Sequence, residues 1–187
     1  NKNFKLIKKV SDKNNVLYSS NGRSEVKMNE VWLKCKNLIL KIHNNDPKIF
    51  DNIICIGITA NMVGLWPIDL QGRPVRNAIL WNDNRTQQFI EKLKKNEKKI
   101  FEKIFSESGS IMQFGCTIPL IKWYEKNENI NFHKTRWFLN CKDWIRYNLT
   151  GEIANDFTET VVGPGSARNI NRSKKIFKLF KISNESI

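Results

Sequence analysis

Residues 73–89, RPVRNAILWNDNRTQQF, put an indole (Trp81), a carboxylate (Asp83) and a guanidinium (Arg85) together where an apolar run ends. A solvated loop has no need of an indole, and a buried strand has no need of a carboxylate and a guanidinium two residues apart. The trio has the parts of a pocket floor: an aromatic face with a hydrogen-bond acceptor and a donor beside it. The plainer readings are a core indole at Trp81 and a structural ion pair at Asp83–Arg85. A second polar stretch, TANMVG (residues 59–64), follows the apolar run IICIGI and offers an amide at Asn61 beside Met62. In a third, NDFTET, Asp156, Thr158 and Thr160 can cap their own turn.

Other chemistries find little support. Gly163-Pro164-Gly165 lacks phosphate-loop spacing, and Pro164 has no N–H to give a phosphate. No G-x-G-x-x-G follows a strand. His43 and His133 lie in polar connections, so no nucleophile–histidine set can be argued. Cys35, Cys55, Cys116 and Cys141 form no C-x-x-C pair, which argues against a zinc or redox site and for reduced thiols in a cytoplasmic protein. No metal ligands are assigned. The net charge of +14 invites a nucleic-acid reading. Lys outnumbers Arg about threefold and is scattered over every solvent face, whereas phosphate recognition favours concentrated Arg. A basic nucleic-acid-binding domain is therefore the alternative from another class, not the first reading. The longest apolar runs are too short for a bilayer, and no secretory leader opens the chain. The absence of an initiator Met suggests a truncated start.

The elements that would position these residues alternate. A short strand-like pattern (Leu6, Val10, Val16, Tyr18) is broken at SNGRSE. A helix then carries Val31, Cys35, Leu38 and Ile42 on one face, with Asn29 as its cap. NIICIGIT reads as a buried strand containing Cys55, and MVGLWPIDLQGRPVRNAIL as a hairpin turning at Leu70-Gln71-Gly72 and delivering Trp81. A lysine-rich helix is expected from Thr86 to about Phe105, and another in GCTIPLIKWYEK with Pro119 in its first turn. RWFLNCKDWIRYNLTGE is a strand running into a helix that stops at Gly151. NDFTETVVGPGSARNI is a turn and loop, and a final amphipathic segment carries Ile176, Leu179 and Phe180. Alternating strands and helices predict an α/β fold with a mixed sheet flanked by helices, and no internal domain boundary.

Read in order, SNGRSEVKMNEVW, GITANMVG, AILWNDNR, TIPLIKW, KDWIRYNLTGE and NDFTET resemble six motifs of the N-terminal domain of the FGGY carbohydrate kinases, the xylulose, ribulose, glycerol and erythritol kinases. Each motif is weak alone; six in register over about residues 20–187 are specific. The resemblance implies a ribonuclease-H-like domain of the actin and hexokinase superfamily, incomplete at both ends, and a cleft with sugar mainly on the first domain and ATP on the second. Residues 1–187 are then part of the sugar-binding domain. The D-x-G-T phosphate hairpin is expected just before them, and the catalytic aspartate and nucleotide domain beyond Ile187. No catalytic residue is expected within the chain.

The function implied is ATP-dependent phosphorylation of a sugar or polyol hydroxyl (EC 2.7.1.-), with ATP and Mg²⁺ held mainly outside these residues. A catalytically inactive homologue is the alternative within the family. Asn61, Met62, Trp81, Asp83 and Arg85 are the expected substrate contacts, with Asp156 and Thr158 near the cleft. Trp81 matches the family's aromatic against the sugar's carbon chain. Asn61 stands where Gln is common, and Val63 replaces a frequent His, which removes a polar contact and leaves open whether a ketose or a polyol is the acceptor. Expected partners are the small acceptor and ATP, with no nucleic acid or membrane; a homodimer is compatible with this reading.

Overall fold

One hairpin with two apolar faces organises the chain. In the computed structural model, which describes residues 5–163 and 165–182, strand β3 (Trp66–Ile68) returns as β4 (Ala78–Ile79). At the turn the Asp69 N–H donates to Arg73 O at 2.9 Å and the Gly72 N–H to Asp69 O at 3.0 Å. Gly72 sits at φ +75°, a conformation that disfavours any side chain. The hairpin expected from the sequence is present.

β4 pairs antiparallel with β2 (Ser24–Val26), and β2 with β1 (Leu17–Tyr18); β3 pairs antiparallel with β5 (Trp137–Leu139). Leu65 and Ile79 exchange both backbone hydrogen bonds at 2.9 Å, joining the two groups. A separate pair, β6 (Gly165–Ser166) and β7 (Asn171–Arg172), is also antiparallel. Among the described residues the expected mixed sheet is thus represented by small antiparallel sheets.

Side chains alternate across the hairpin, as the pleat dictates. Leu65, Ile79 and Phe138 enter one core, with Ile90 of α2 (Gln87–Asn96), Ile104 of α3 (Lys98–Ser108), Leu120 and Tyr124 of α4 (Thr117–Asn127) and Phe180 of α8 (Lys174–Phe180). Trp66, Ile68, Leu80 and Leu139 enter the other, with Val31 of α1 (Met28–Asn45) and Trp144 of α6 (Cys141–Thr150). The Trp144 Nε1–H donates to Met28 O at 2.9 Å and ties α6 to α1. Asp143 Oδ2 accepts the Asn140 N–H at 3.0 Å where α6 begins, and Gly151 at φ +77° ends it, as the sequence suggests. Short α5 (Asn129–Lys134) links α4 to β5.

Four expectations are corrected. The lysine-rich helix is two helices, α2 and α3, broken at Glu97 (φ −138°, ψ 50°), a bend that lets Ile90 and Ile104 both reach the core. NDFTETVV is not a turn: α7 (Phe157–Val162) forms because Asp156 Oδ1 accepts the Glu159 N–H at 3.0 Å. Pro164 of the Gly/Pro segment lies outside the described residues. The buried strand NIICIGIT is absent; a 3-10 turn (Pro47–Asn52) leads into an extended segment with Ile54 96% and Cys55 also exposed. A strand needs a neighbour to take up its N–H and C=O groups, and no strand among the described residues pairs with this one. For the same reason the N-terminal strand pattern is realised only at Leu17–Tyr18, with Leu6 and Ile7 exposed. Among the described residues no helix is long and apolar enough to cross a membrane.

Candidate functional site

Three backbone segments meet beside Trp81. The Gly64 N–H donates to Gly115 O at 3.0 Å, and the Thr117 hydroxyl at the start of α4 donates to Gly64 O at 3.0 Å. Gly115, at φ +77°, lies so close to the Trp81 carbonyl that an added Cβ would stand 1.8 Å from its oxygen. Gly64, at φ +85°, has the Ile79 carbonyl 2.6 Å from the place a Cβ would occupy. Only glycine permits either approach. The Asn61–Gly64 loop, the Trp81 turn and the α4 entry are therefore one rigid junction, and Trp81 emerges from it 53% exposed. That exposure excludes the core-indole reading and leaves an aromatic face free for a ligand. Asn61 is exposed and Met62 half-buried on the neighbouring loop.

Val63 is the strained residue of that loop. It is β-branched yet adopts φ +55°, at a cost of about 1–3 kcal/mol. Its N–H donates to Glu159 Oε2 at 3.0 Å, a bond from the loop to α7. Glu159 is fully buried, and its other oxygen lies 3.4 Å from Lys142 Nζ of α6. Burial pushes the Glu159 carboxyl up from the ordinary range, while the Val63 N–H and Lys142 oppose it. Lys142 also pairs with Asp156 at 2.5 Å. Although burial works the other way, Lys142, the Thr158 hydroxyl and the Glu159 N–H hold Asp156 at about 2. Burial pushes neighbouring Asp143 up to about 6, against the Asn140 N–H and with the Glu159 charge adding to it.

The expected residues thus divide. Asn61, Met62 and Trp81 lie around the glycine junction. Asp156 caps α7, which meets the same loop through Glu159, the local capping that was the plainer alternative; Thr158, in the first turn of α7, donates to Asp156 Oδ1 at 2.5 Å. Asp83 and Arg85 are corrected. Asp83 is fully buried, Oδ2 taking the Ser24 N–H at 2.7 Å and Arg85 Nη2 at 2.8 Å, Oδ1 taking Arg85 Nε at 2.7 Å. Arg85, with its side chain 2% exposed, also donates to Glu25 at 2.7 Å and lies over the Trp123 ring at 4.5 Å. Arg76 bonds Glu25 too, and the two guanidinium groups outweigh burial and hold the Glu25 carboxyl below its usual range. This network braces the turn that carries Trp81, and the Asp83 carboxylate has no free face for a hydroxyl.

Sequence reasoning missed Glu159, Gly115, Thr117 and Lys142. The D-x-x-E spacing of Asp156 and Glu159 signals a helix start, but nothing local joins Glu159 to Val63. Among the described residues no group of three His, Cys, Asp or Glu side chains could hold a metal ion.

Residues 1–185 match the profile of the FGGY family of carbohydrate kinases, N-terminal domain. The chain is 31% identical over 153 residues to a xylulose kinase of Staphylococcus xylosus, covering 82% of this chain and 31% of that protein. It is 30% identical over 134 residues to the xylulose kinase of Escherichia coli K12, covering 70% of this chain and 26% of that one. In structure it resembles a xyloylose kinase from Brucella ovis (TM-score 0.83, 26% identity, 92% of this chain and 36% of the other). It also shares the fold of Plasmodium falciparum glycerol kinase (TM-score 0.74, 21% identity, 91% and 35%). The chain spans about a third of the length of these relatives. The α/β fold is that of the sugar kinases of the actin and hexokinase class, and with the profile matched over residues 1–185 the chain belongs to the FGGY family of carbohydrate kinases.

Proposed function

We propose that this chain is the acceptor side of an ATP-dependent kinase that phosphorylates a hydroxyl of a small ketose or polyol, with xylulose-like pentuloses first among the candidates. The observation that carries this reading is the exposed Trp81 ring beside the Asn61–Gly64 loop, on a glycine junction that fixes both. Family membership and the xylulose kinase relatives support it.

In such a reaction, positioning and charge stabilisation do most of the work. This chain's share is orientation: the indole covers the carbon chain, the Asn61 amide gives and takes a hydroxyl hydrogen bond, and Met62 completes the apolar wall. Among the described residues, Asp83 and Glu159 do not offer a Mg²⁺ site. That ion wants several free oxygens in octahedral array, whereas Asp83 is saturated by Arg85 and Ser24, and Glu159 is buried against Val63 and Lys142. We therefore place ATP, its Mg²⁺ and the catalytic base on protein outside residues 1–187, and assign those residues to part of the sugar-binding domain.

The test is a phosphorylation screen of the full-length protein with ATP and Mg²⁺ against pentuloses, tetritols and glycerol, read as ADP release. Turnover of one of these is expected. A folded full-length protein that phosphorylates none of them overturns the reading.

A further inference from the structure

A buried carboxylate is costly unless it is bonded and paired, and Glu159 is placed where neither the hydrophobic core nor the helix cap requires it. The cap of α7 is already made by Asp156. Glu159 turns the other way, fully buried, and its Oε2 accepts the N–H of Val63, 96 residues earlier, at 3.0 Å. Val63 is the one residue between Asn61 and Gly64 in the left-handed region without being glycine. A strained β-branched residue keeps that conformation only when its surroundings over-determine it. Gly64 is fixed on its far side by Gly115 and Thr117; Val63 is fixed by Glu159.

We propose that Glu159 is the positioning residue of the acceptor site: its carboxylate latches the Val63 N–H and so sets the direction in which Asn61 and Met62 face the ligand held by Trp81. It acts through the loop and does not touch the acceptor. Lys142, bridging Asp156 and Glu159 at the start of α6, holds the latch in place. The role as an acceptor-site device rests on the kinase reading above; the latch itself does not.

The test uses the full-length protein with two readouts. In amide hydrogen exchange, Glu159→Ala should speed exchange at Val63 by about tenfold or more, with core amides such as Ile79 unchanged. In steady-state kinetics the same variant should lose about tenfold or more in kcat/KM for the acceptor, with KM for ATP unchanged. Glu159→Gln, whose amide oxygen can still accept the N–H, should recover most of both. A general loss of packing would disturb ATP and core amides as well and would not be rescued by Gln. If Glu159→Ala does not fold, Glu159→Asp asks the same question, because it keeps the charge but withdraws it from Val63 by one methylene. A folded Ala or Asp variant with wild-type exchange at Val63 overturns the latch. A variant with fast exchange at Val63 but unchanged acceptor kinetics overturns the positioning role. If the wild type phosphorylates no acceptor, the kinase reading and the positioning role fall together, and exchange at Val63 still decides the latch.

Discussion

Trp81, Asp83 and Arg85 are neighbours in sequence with opposite fates. The indole is exposed because Gly115 packs against its carbonyl and leaves the ring outside; the carboxylate and guanidinium, two and four residues later, are consumed by Ser24, Glu25 and each other. The two kinds of residue should respond differently to truncation. Trp81→Ala removes apolar contact with the acceptor, worth roughly 1.5–3 kcal/mol, so kcat/KM for the acceptor should fall about ten- to a hundredfold or more in the full-length protein, with KM for ATP and the melting temperature little changed. Unchanged acceptor kinetics in a folded variant would remove Trp81 from the site. Asp83→Ala instead leaves the Arg85 charge buried with only Glu25 beside it. Breaking a buried pair costs about 3–5 kcal/mol, and the remaining Glu25 partner puts the expectation at the lower end. A urea titration measures it. A variant of wild-type stability that lost only acceptor binding would return Asp83 to the pocket.

At the scale of elements, α6 and α7 carry the acidic residues behind the acceptor loop, and their burial has a consequence for pH. Asp143 is pushed up to about 6 from 3.8 by burial and by the Glu159 and Asp156 charges, with the Asn140 N–H and Arg146 opposing. Between these two values the folded protein binds more protons than the unfolded chain. The contribution of Asp143 to stability therefore falls as pH rises from about 4 to about 6 and levels off above that. Asp143→Asn keeps an oxygen for the Asn140 N–H and removes the titration, so it should flatten that decline. Relative to wild type it should gain on the order of 1–3 kcal/mol at pH 7 and nothing at pH 4. Denaturant midpoints at the two pH values check this; an equal shift at both would mean that the charge of Asp143 is not what costs stability.

At the scale of the whole molecule, the β3–β4 hairpin separates two cores and carries the acceptor loop at its start and Trp81 at its end. The net charge of +14 surrounds this frame. Dispersed Lys should give only non-specific nucleic-acid binding, with Kd no tighter than about 10⁻⁴–10⁻⁶ M at physiological salt and weakening linearly on a log–log salt plot. Sequence-selective binding at that salt concentration would revive the basic-domain alternative. Residues 1–187 alone, if they supply only the acceptor side, should release no ADP with any sugar; turnover by this chain would overturn the division proposed above.

What the sequence determined by itself is what acts over a few residues. Gly72 requires the hairpin turn, Gly151 stops α6, and the period-2 and period-3.6 patterns place β3, β5, α1 and α4. The ordered motifs, which are patterns of side-chain type along the chain, were likewise enough for the family. Tertiary structure decided which polar groups remain free. Asp83 reads as a sugar ligand, with a brace as the plainer alternative, until Glu25 and Ser24, about sixty residues away, close on its pair. Glu159 is one more acid after a cap until Val63 arrives 96 residues from it. The run IICIGI has every local mark of a strand, yet remains unpaired among the described residues, because strand formation is completed by a neighbour and not by propensity. Hydrogen-bond and ion-pair saturation depends on long loops closing, and no window of local sequence contains both ends of such a loop.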